Sequence, residues 1–405
     1  MDSYVPNPFI RRNCLFLRPL IGFLLLAVVL VRAASAQSGV PSTPPSAARK
    51  TAISAADFSR MVRTFSEEEG NFFSDNYVSN ETSYLHVIDK LKQLKVTGGA
   101  YLGVGPEQNF TYIAKIRPEI AFIVDIRRQA IIQHLMYKAI FQMEPDPAHF
   151  LSLLLSKPLD RTTEGKSAPG PGAPIGELVE YFSEAKTPEG VYERNLAAIR
   201  KTIEKDFEIP LSERDQGMLE KVYRAFEAAS MHISFRFAGA AGMFYGGFPD
   251  LADLVMAKDL NGKLGNFLAS EQDYNVVRNL QRNNRIIPVV GDFAGTKALA
   301  VVADYLKENG YTLSAYYTSN VEEFLFGDRV YDAFAENIRQ MPIDDRSVFI
   351  RALRGGLPNH PAHIPGHRMI TVLQKMKVFL KDYDQGLLRS YSSLALTDYI
   401  AGNQP

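Results

Sequence analysis

Small and polar residues recur in this sequence where apolar segments end. Gly103 and Gly105 lie at the end of the apolar segment 100–104, and Asp125 follows the apolar segment 120–124. Glycines at such a turn let the backbone approach a ligand closely, and a carboxylate after the second strand can accept hydrogen bonds from a ribose diol. This pattern is typical of a nucleoside-type binding site, although each residue alone is more typical of an ordinary turn.

Two later apolar segments end in the same way. Asp292 follows the segment 285–290, and Ser319 and Asn320 follow the segment 312–317. Because ligands of open parallel sheets bind at the carboxyl ends of the strands, we expect these side chains to line one crevice with the first set. The sequence therefore predicts a small-molecule site at that edge.

The first turn does not fit a dinucleotide. The nicotinamide-cofactor fingerprint needs a third glycine where this chain has Gln108. Glu107 would place a carboxylate beside a pyrophosphate, and Pro106 would constrain the turn. Nicotinamide cofactors are thus disfavoured.

The elements that must position these residues alternate between strand and helix. Periodicity predicts strand, helix, strand and helix within residues 98–143, and the same alternation returns after residue 267. We expect an α/β fold with a Rossmann-like, mostly parallel sheet flanked by helices, a helical N-terminal segment and a large helical insertion. The predicted parts are a signal peptide (1–36), a flexible linker (37–50), an N-terminal helical segment (51–97), the first half of the sheet domain (98–156), a loop and helical insertion (157–266) and the second half of the sheet domain (267–400).

The N-terminus has the composition of an export signal. Arg11, Arg12 and Arg18 precede the apolar run 20–31, and small residues follow it. This order predicts cleavage after Ala36 and a periplasmic or extracellular protein. The apolar run is shorter than the roughly 20 residues that span a bilayer, so we expect no stable membrane anchor after cleavage. The arginine pair also allows twin-arginine export, and the general secretory route stays open beside it.

Composition excludes several classes of function. The one cysteine, Cys14, lies in the signal segment, so the mature chain would have no thiol for a disulfide, a nucleophile or a metal. Lys and Arg together number 45, as do Asp and Glu together, and this balance gives no basic surface for nucleic acid.

Three histidines stand close together in a proline-rich segment. His360, His363 and His367 could bind zinc or copper as neutral imidazoles, and such a site would support a metal-dependent hydrolase. Their spacing matches no established helical metal motif. We therefore keep metal binding as the lesser alternative and expect the segment to fold over the strand ends.

Six blocks within residues 55–380 carry a family resemblance. They are residues 103–112, 122–128, 267–271, 288–295, 314–322 and 349–351. They resemble an uncharacterised bacterial family whose fold is similar to that of class I S-adenosylmethionine-dependent methyltransferases.

The resemblance implies a place for the cofactor. Gly103 and Gly105 would pass beside the methionine part of S-adenosylmethionine, Asp125 would hold the ribose hydroxyls, and Asp292 would lie near the adenine amine. Ser319 and Asn320 would face the transferred methyl group as the catalytic pair. Methyl transfer depends mostly on positioning and desolvation, so it needs no nucleophile from the protein.

The expected function is that of an exported methyltransferase-like protein with a nucleoside-type crevice. The alternative is a periplasmic ligand-binding protein that keeps this fold without transfer chemistry. Export favours the alternative, because S-adenosylmethionine is made in the cytoplasm. Departures from the methyltransferase pattern at Tyr101 and Glu107 favour it as well.

Overall fold

Helices and strands alternate along the chain in the computed structural model. The structure describes residues 52–159, 167–235, 247–354 and 360–402. All of them belong to one compact unit, Ala48–Pro405. The predicted signal segment and linker lie outside the described residues, as do residues 236–246 of the predicted insertion.

Seven strands form one mixed sheet, which confirms the predicted α/β class. Their order is β3-β2-β1-β4-β5-β6-β7. Pairing is parallel from β3 through β5, whereas β6 is antiparallel to both β5 and β7. The strands are β1 (Ala100–Gly103), β2 (Ile120–Asp125), β3 (Ile286–Val290), β4 (Leu313–Ser319), β5 (Ile343–Arg354), β6 (Met369–Lys375) and β7 (Ile400–Ala401).

Helices flank both faces of this sheet and form the segment between β2 and β3. In chain order they are α1 (Ala55–Thr64), α2 (Ile88–Gln93), α3 (Gln108–Ile116), α4 (Arg128–Met143), α5 (Pro147–Leu155), α6 (Ile175–Glu184), α7 (Val191–Lys201), α8 (Glu213–Ala229), α9 (Leu251–Val255), α10 (Glu271–Arg282), α11 (Ala298–Glu308), α12 (Val321–Gly327), α13 (Tyr331–Arg339), α14 (Met376–Asp384) and α15 (Tyr391–Leu396). Within the described residues, no helix combines the length and the apolar composition needed to cross a membrane.

One face of the sheet carries a row of aromatic side chains. Parallel register places Tyr316 beside Phe349 in adjacent strands, and both side chains point to the same face. Phe349 packs on Phe379 of α14 with ring centroids 5.1 Å apart, and Phe122 packs on Tyr305 of α11 at 5.8 Å. Helices α11 and α14 thus cover this face through edge-on aromatic contacts.

The opposite face is covered by α3 and α4. Tyr112 of α3 lies against Tyr317 of β4, with ring centroids 5.1 Å apart. Phe110 of the same helix contacts Phe141 of α4 at 5.3 Å. Burial of these rings fixes α3 directly behind the turn that follows β1.

Local sequence signals account for the ends of several elements. Ser54 caps α1 by accepting a hydrogen bond from the Asp57 backbone at 3.1 Å. Helix α3 ends at Arg117, which has a left-handed φ of 53° just before Pro118. Strand β2 has the apolar residues and the terminal Asp125 that the pattern predicted. Strands β6 and β7 were not anticipated, although β-branched residues in β6 carried a signal.

Candidate functional site at the carboxyl edge of the sheet

The turn after β1 is organised by one buried amide. Asn109 donates through Nδ2 to the carbonyl oxygens of Val104 at 2.9 Å and Pro106 at 2.8 Å. A side chain at Gly103 would overlap Asn109 Oδ1, and Gly105 has a φ of +79° that favours glycine. Both predicted glycines are therefore required by the turn itself, one by packing and the other by backbone conformation.

A single segment lies across the carboxyl ends of the strands. We call residues 66–83, which follow α1, the N-terminal strap. Its backbone donates from Glu67 to the Val290 carbonyl at 3.1 Å, at the end of β3, and from Gly70 to the Ile126 carbonyl at 2.9 Å, just after β2. Further along, it reaches the ends of β1 and β4 by the side-chain contacts described below. The strap thus crosses the ends of the parallel strands in the order β3, β2, β1 and β4. No role was predicted for this segment from the sequence.

Asp125 is bound by a neighbouring arginine. Arg127 donates to it from Nε at 2.9 Å and from Nη2 at 2.8 Å, and Asp125 is 3% exposed. Burial alone would raise the pKa of Asp125, but the Arg127 guanidinium holds that pKa below its ordinary value. Arg127 also donates to the strap carbonyls of Ser74 and Asp75, each at 3.2 Å. Through Arg127, the acid predicted to hold a ribose diol is tied to the strap.

The end of β3 is bound by a carboxylate of the strap. Asp292 donates its backbone N–H to Glu67 Oε1 at 2.5 Å, and its own Oδ1 accepts from the Ala294 backbone at 2.9 Å. Ala298, the first residue of α11, also donates to Glu67 at 3.4 Å. Glu67 therefore neutralises the positive end of that helix, and Asp292 serves the local turn.

The end of β4 has an unusual backbone. Ser319 has a left-handed φ of 52°, which directs its hydroxyl to the strap, where it donates to Glu81. Asn320 is half-buried and its Oδ1 lies 3.4 Å from the Ser319 hydroxyl. The predicted catalytic pair is thus placed at the edge, with the serine already engaged and the asparagine partly open.

A buried polar cluster joins the ends of β1 and β4. We define the acid cluster as Ser79, Glu81, Glu107, Gln108 and Ser319. Gln108 donates through Nε2 to Glu81 at 2.9 Å, and the Ser79 backbone donates to Glu107 at 3.3 Å. Ser79 also donates from its hydroxyl to Gln108. Glu81 was not predicted from the sequence, and Glu107 was expected only to disfavour a pyrophosphate.

Both carboxyl groups of the acid cluster are removed from water. Glu81 is 0% and Glu107 5% exposed. Burial raises the pKa of Glu81, although the hydrogen bonds with Ser319, Gln108 and Tyr317 act to lower it. Burial also raises the pKa of Glu107, to about 7. Among the described residues, no cation contributes to either shift, so desolvation dominates at both sites.

Within the described residues the three histidines, the lesser alternative for metal binding, do not come together as a metal site. His360 donates from Nε2 to the Ala395 carbonyl at 3.0 Å and accepts from the Ala362 backbone at 3.1 Å, so both ring nitrogens are used. His363 Nε2 lies 3.2 Å from the His367 carbonyl oxygen. No group of three or more His, Cys, Asp or Glu in the described part of the chain could hold a metal ion.

His367 instead belongs to the C-terminal side of the strap. Its Nδ1 lies 2.9 Å from the Thr82 hydroxyl, and its ring packs edge-on against His86 with centroids 4.4 Å apart. Burial, with a smaller contribution from the neighbouring His367, lowers the pKa of His86 to about 4. This contact fixes the end of the strap beside the loop that precedes β6.

A second buried charge network supports β4 and β5. Arg351 donates to Glu322 from Nε at 2.5 Å and from Nη2 at 3.1 Å, and both side chains are at most 3% exposed. Thr318 and Tyr331 donate to the same carboxylate at 3.0 and 2.9 Å. Because every oxygen of Glu322 is satisfied, this pair holds α12 onto the sheet next to Ser319.

One comparison covers most of this architecture. The family model described as a domain of unknown function, DUF7790, matches residues 76–164 and 178–400. The chain belongs to this family. The match includes the acid cluster and the ends of β1 to β4, whereas Glu67 and the first part of the strap precede it. No curated protein shows a significant similarity to the chain.

Proposed function

We propose that this protein is an exported, methyltransferase-like protein whose small-molecule site lies at the carboxyl edge of the sheet. The single observation that carries the proposal is the reversal of strand order between β1 and β4. At such a reversal the following helices leave on opposite faces and open a crevice at the strand ends. Gly103, Gly105 and Ser319, on β1, its turn and β4, flank this point.

The strand order also supports the methyltransferase resemblance. Five parallel strands in the order β3-β2-β1-β4-β5, followed by an antiparallel neighbour, are similar to the sheet of class I methyltransferases. Under this proposal S-adenosylmethionine is the first candidate ligand. It would lie over the β1 turn, with Asp125 and Asp292 on its nucleoside side and Ser319 and Asn320 on its methyl side.

The test is calorimetry and thermal shift with S-adenosylmethionine and its demethylated product, using protein produced with its signal segment. Asn320→Ala is the informative variant, since Asn320 is half-buried and, among the described residues, its side chain makes one hydrogen bond, at 3.4 Å. Asn309→Ala is the matched control, because Asn309 lies at the amino edge of the sheet, before β4. We expect the first variant to weaken binding and the control to leave it unchanged. No heat and no shift at millimolar ligand would refute the cofactor assignment.

A non-catalytic ligand-binding protein is the second candidate, and one observation favours it. Asp125 is already paired with Arg127 on both oxygens, so a ribose diol would compete with a buried ion pair. This candidate predicts that a ligand other than S-adenosylmethionine copurifies with the protein. Native mass spectrometry of the gently purified protein would detect that mass, and a spectrum of ligand-free protein alone would count against it.

A further inference from the structure

The acid cluster contains an oxygen for which the described residues supply no donor. Glu107 Oε1 accepts from the Ser79 backbone, but Oε2 is buried without a hydrogen-bond partner among the described residues. An unsatisfied buried carboxyl oxygen is costly, and natural proteins keep one mainly where another group supplies the donor. The oxygen lies in the turn after β1, at the strand reversal where a ligand is expected.

The surroundings of this oxygen have the chemistry of a cation site. Glu81 and Glu107 lie close enough for the charge of one to raise the pKa of the other. Tyr112 and Tyr317 pack together beside Glu81, and burial together with the charge of Glu81 raises the pKa of both tyrosine hydroxyls. Buried carboxylates next to tyrosine rings are the groups that recognise ammonium ions in proteins.

We propose that the acid cluster binds the protonated amino group of an alkylamine ligand, with Glu107 Oε2 and Glu81 as its acceptors. The inference deepens the proposed function and rests on the small-molecule edge described there. An ammonium group supplies three donors and one positive charge, which matches the missing donor and the two uncompensated acids. Because the strap covers the cluster, the amine enters only when residues 79–83 move.

The probe is n-butylammonium chloride, and its matched neutral control is 1-butanol. We expect the ammonium ion, but not the alcohol, to raise the melting temperature and to give heat in calorimetry after long incubation. Glu107→Gln retains the oxygen that accepts from Ser79 and replaces only the unpartnered one, so the fold should persist. We expect it to weaken binding at least tenfold, whereas Glu308→Gln, on an exposed position of α11, should not.

The unaltered protein gives a second, independent readout through proton release. The titratable groups around Glu107 are Glu81 of the strap, Tyr84, and His134 and Tyr137 of α4. The pKa of His134 is lowered to about 4 by burial, and burial raises the pKa of both tyrosines. Because the pKa of Glu107 is about 7, its ionised fraction rises about tenfold between pH 6 and pH 8, and affinity should rise by about the same factor.

Calorimetry in buffers of different ionisation enthalpy should therefore show proton release at pH 6 and little at pH 8. Equal responses to butylammonium and butanol would overturn the proposal, as would unchanged binding by Glu107→Gln or a flat pH dependence. S-adenosylmethionine is titrated in parallel. Amine binding without cofactor binding would keep this inference and refute the cofactor assignment. If both bind and butylammonium competes with S-adenosylmethionine, the acid cluster holds the amino group of the cofactor. If both bind at the same time, the acid cluster holds the amino group of a second ligand.

Discussion

A buried lysine offers the sharpest test of the energetics of this fold. Lys138 lies in the middle of α4, is 2% exposed, and donates to the Gln281 carbonyl at the end of α10. Its ammonium group lies 4.7 Å from the Phe58 ring centroid and 4.6 Å from that of Phe207. In the part of the chain that the structure describes, no carboxylate contributes to its pKa, and desolvation lowers that pKa from 10.5 to about 7.

The magnitude follows from the difference between the folded and unfolded pKa. A depression from 10.5 to about 7, at 1.36 kcal/mol per unit, corresponds to about 5 kcal/mol. The two rings favour the charged form by about 1 kcal/mol, which is smaller than the cost of desolvation. Burial of the charge therefore destabilises the folded state at neutral pH.

The sign of the pH dependence is fixed by the same shift. Between the folded and unfolded pKa values the unfolded chain binds more protons at this position, so stability rises with pH. The cost is present in full below pH 7 and disappears above pH 10.5. Lys138→Met has no such charge and should show no contribution from this position.

The assay is urea unfolding of the wild type and of Lys138→Met between pH 7 and pH 9.5. The free energy of unfolding of the wild type should rise relative to that of the variant by about 3 kcal/mol across this range. Lys201→Met, at an exposed position of α7, is the control and should run parallel to the wild type. Parallel curves for Lys138→Met as well would refute the reasoning, because the lysine would then have the same pKa folded and unfolded.

Two further predictions concern packing near the carboxyl edge. Arg351→Met leaves the Glu322 carboxylate buried without its cation and should lower the free energy of unfolding by about 3–5 kcal/mol, whereas the double variant with Glu322→Leu should recover much of this loss. A loss in the double variant as large as in the single one would contradict that account. Gly103→Ala forces Asn109 out of position and should cost about 1–3 kcal/mol, while Gly217→Ala, on the open surface of α8, should stabilise by about 0.5–1 kcal/mol. Equal effects of the two alanines in denaturant unfolding would show that the β1 turn tolerates a side chain.

Much of the fold was predictable because its signals are local. The apolar segment that ends at Asp125 is β2, and the capping residues Ser54 and Asp57 do begin α1. Pro118 ends α3 because the residue before a proline is driven from the helical region. Strand β6 was missed, since its pairing partner β5 is distant in sequence and pairing is what makes it a strand.

The candidate site was predictable in position but not in its contacts. Residues at the ends of parallel strands must meet at one edge, so the sequence places Gly103, Asp125 and Ser319 there. Nothing local shows that Arg127 turns back onto Asp125, or that Glu81 reaches Ser319 across 238 positions of chain.

The sequence by itself determined the α/β alternation, the edge where polar residues gather, and the lack of a thiol in the chain after Ala36. These depend on residue type and on spacing of a few positions. Only the tertiary structure decided that the strap crosses that edge, that Asp125 and Asp292 serve internal contacts, and that Glu81 and Glu107 share a dry cluster. The physical reason is burial: a carboxyl group on a polar stretch appears solvated until a distant segment removes its water, and its pKa and chemistry then follow from that environment.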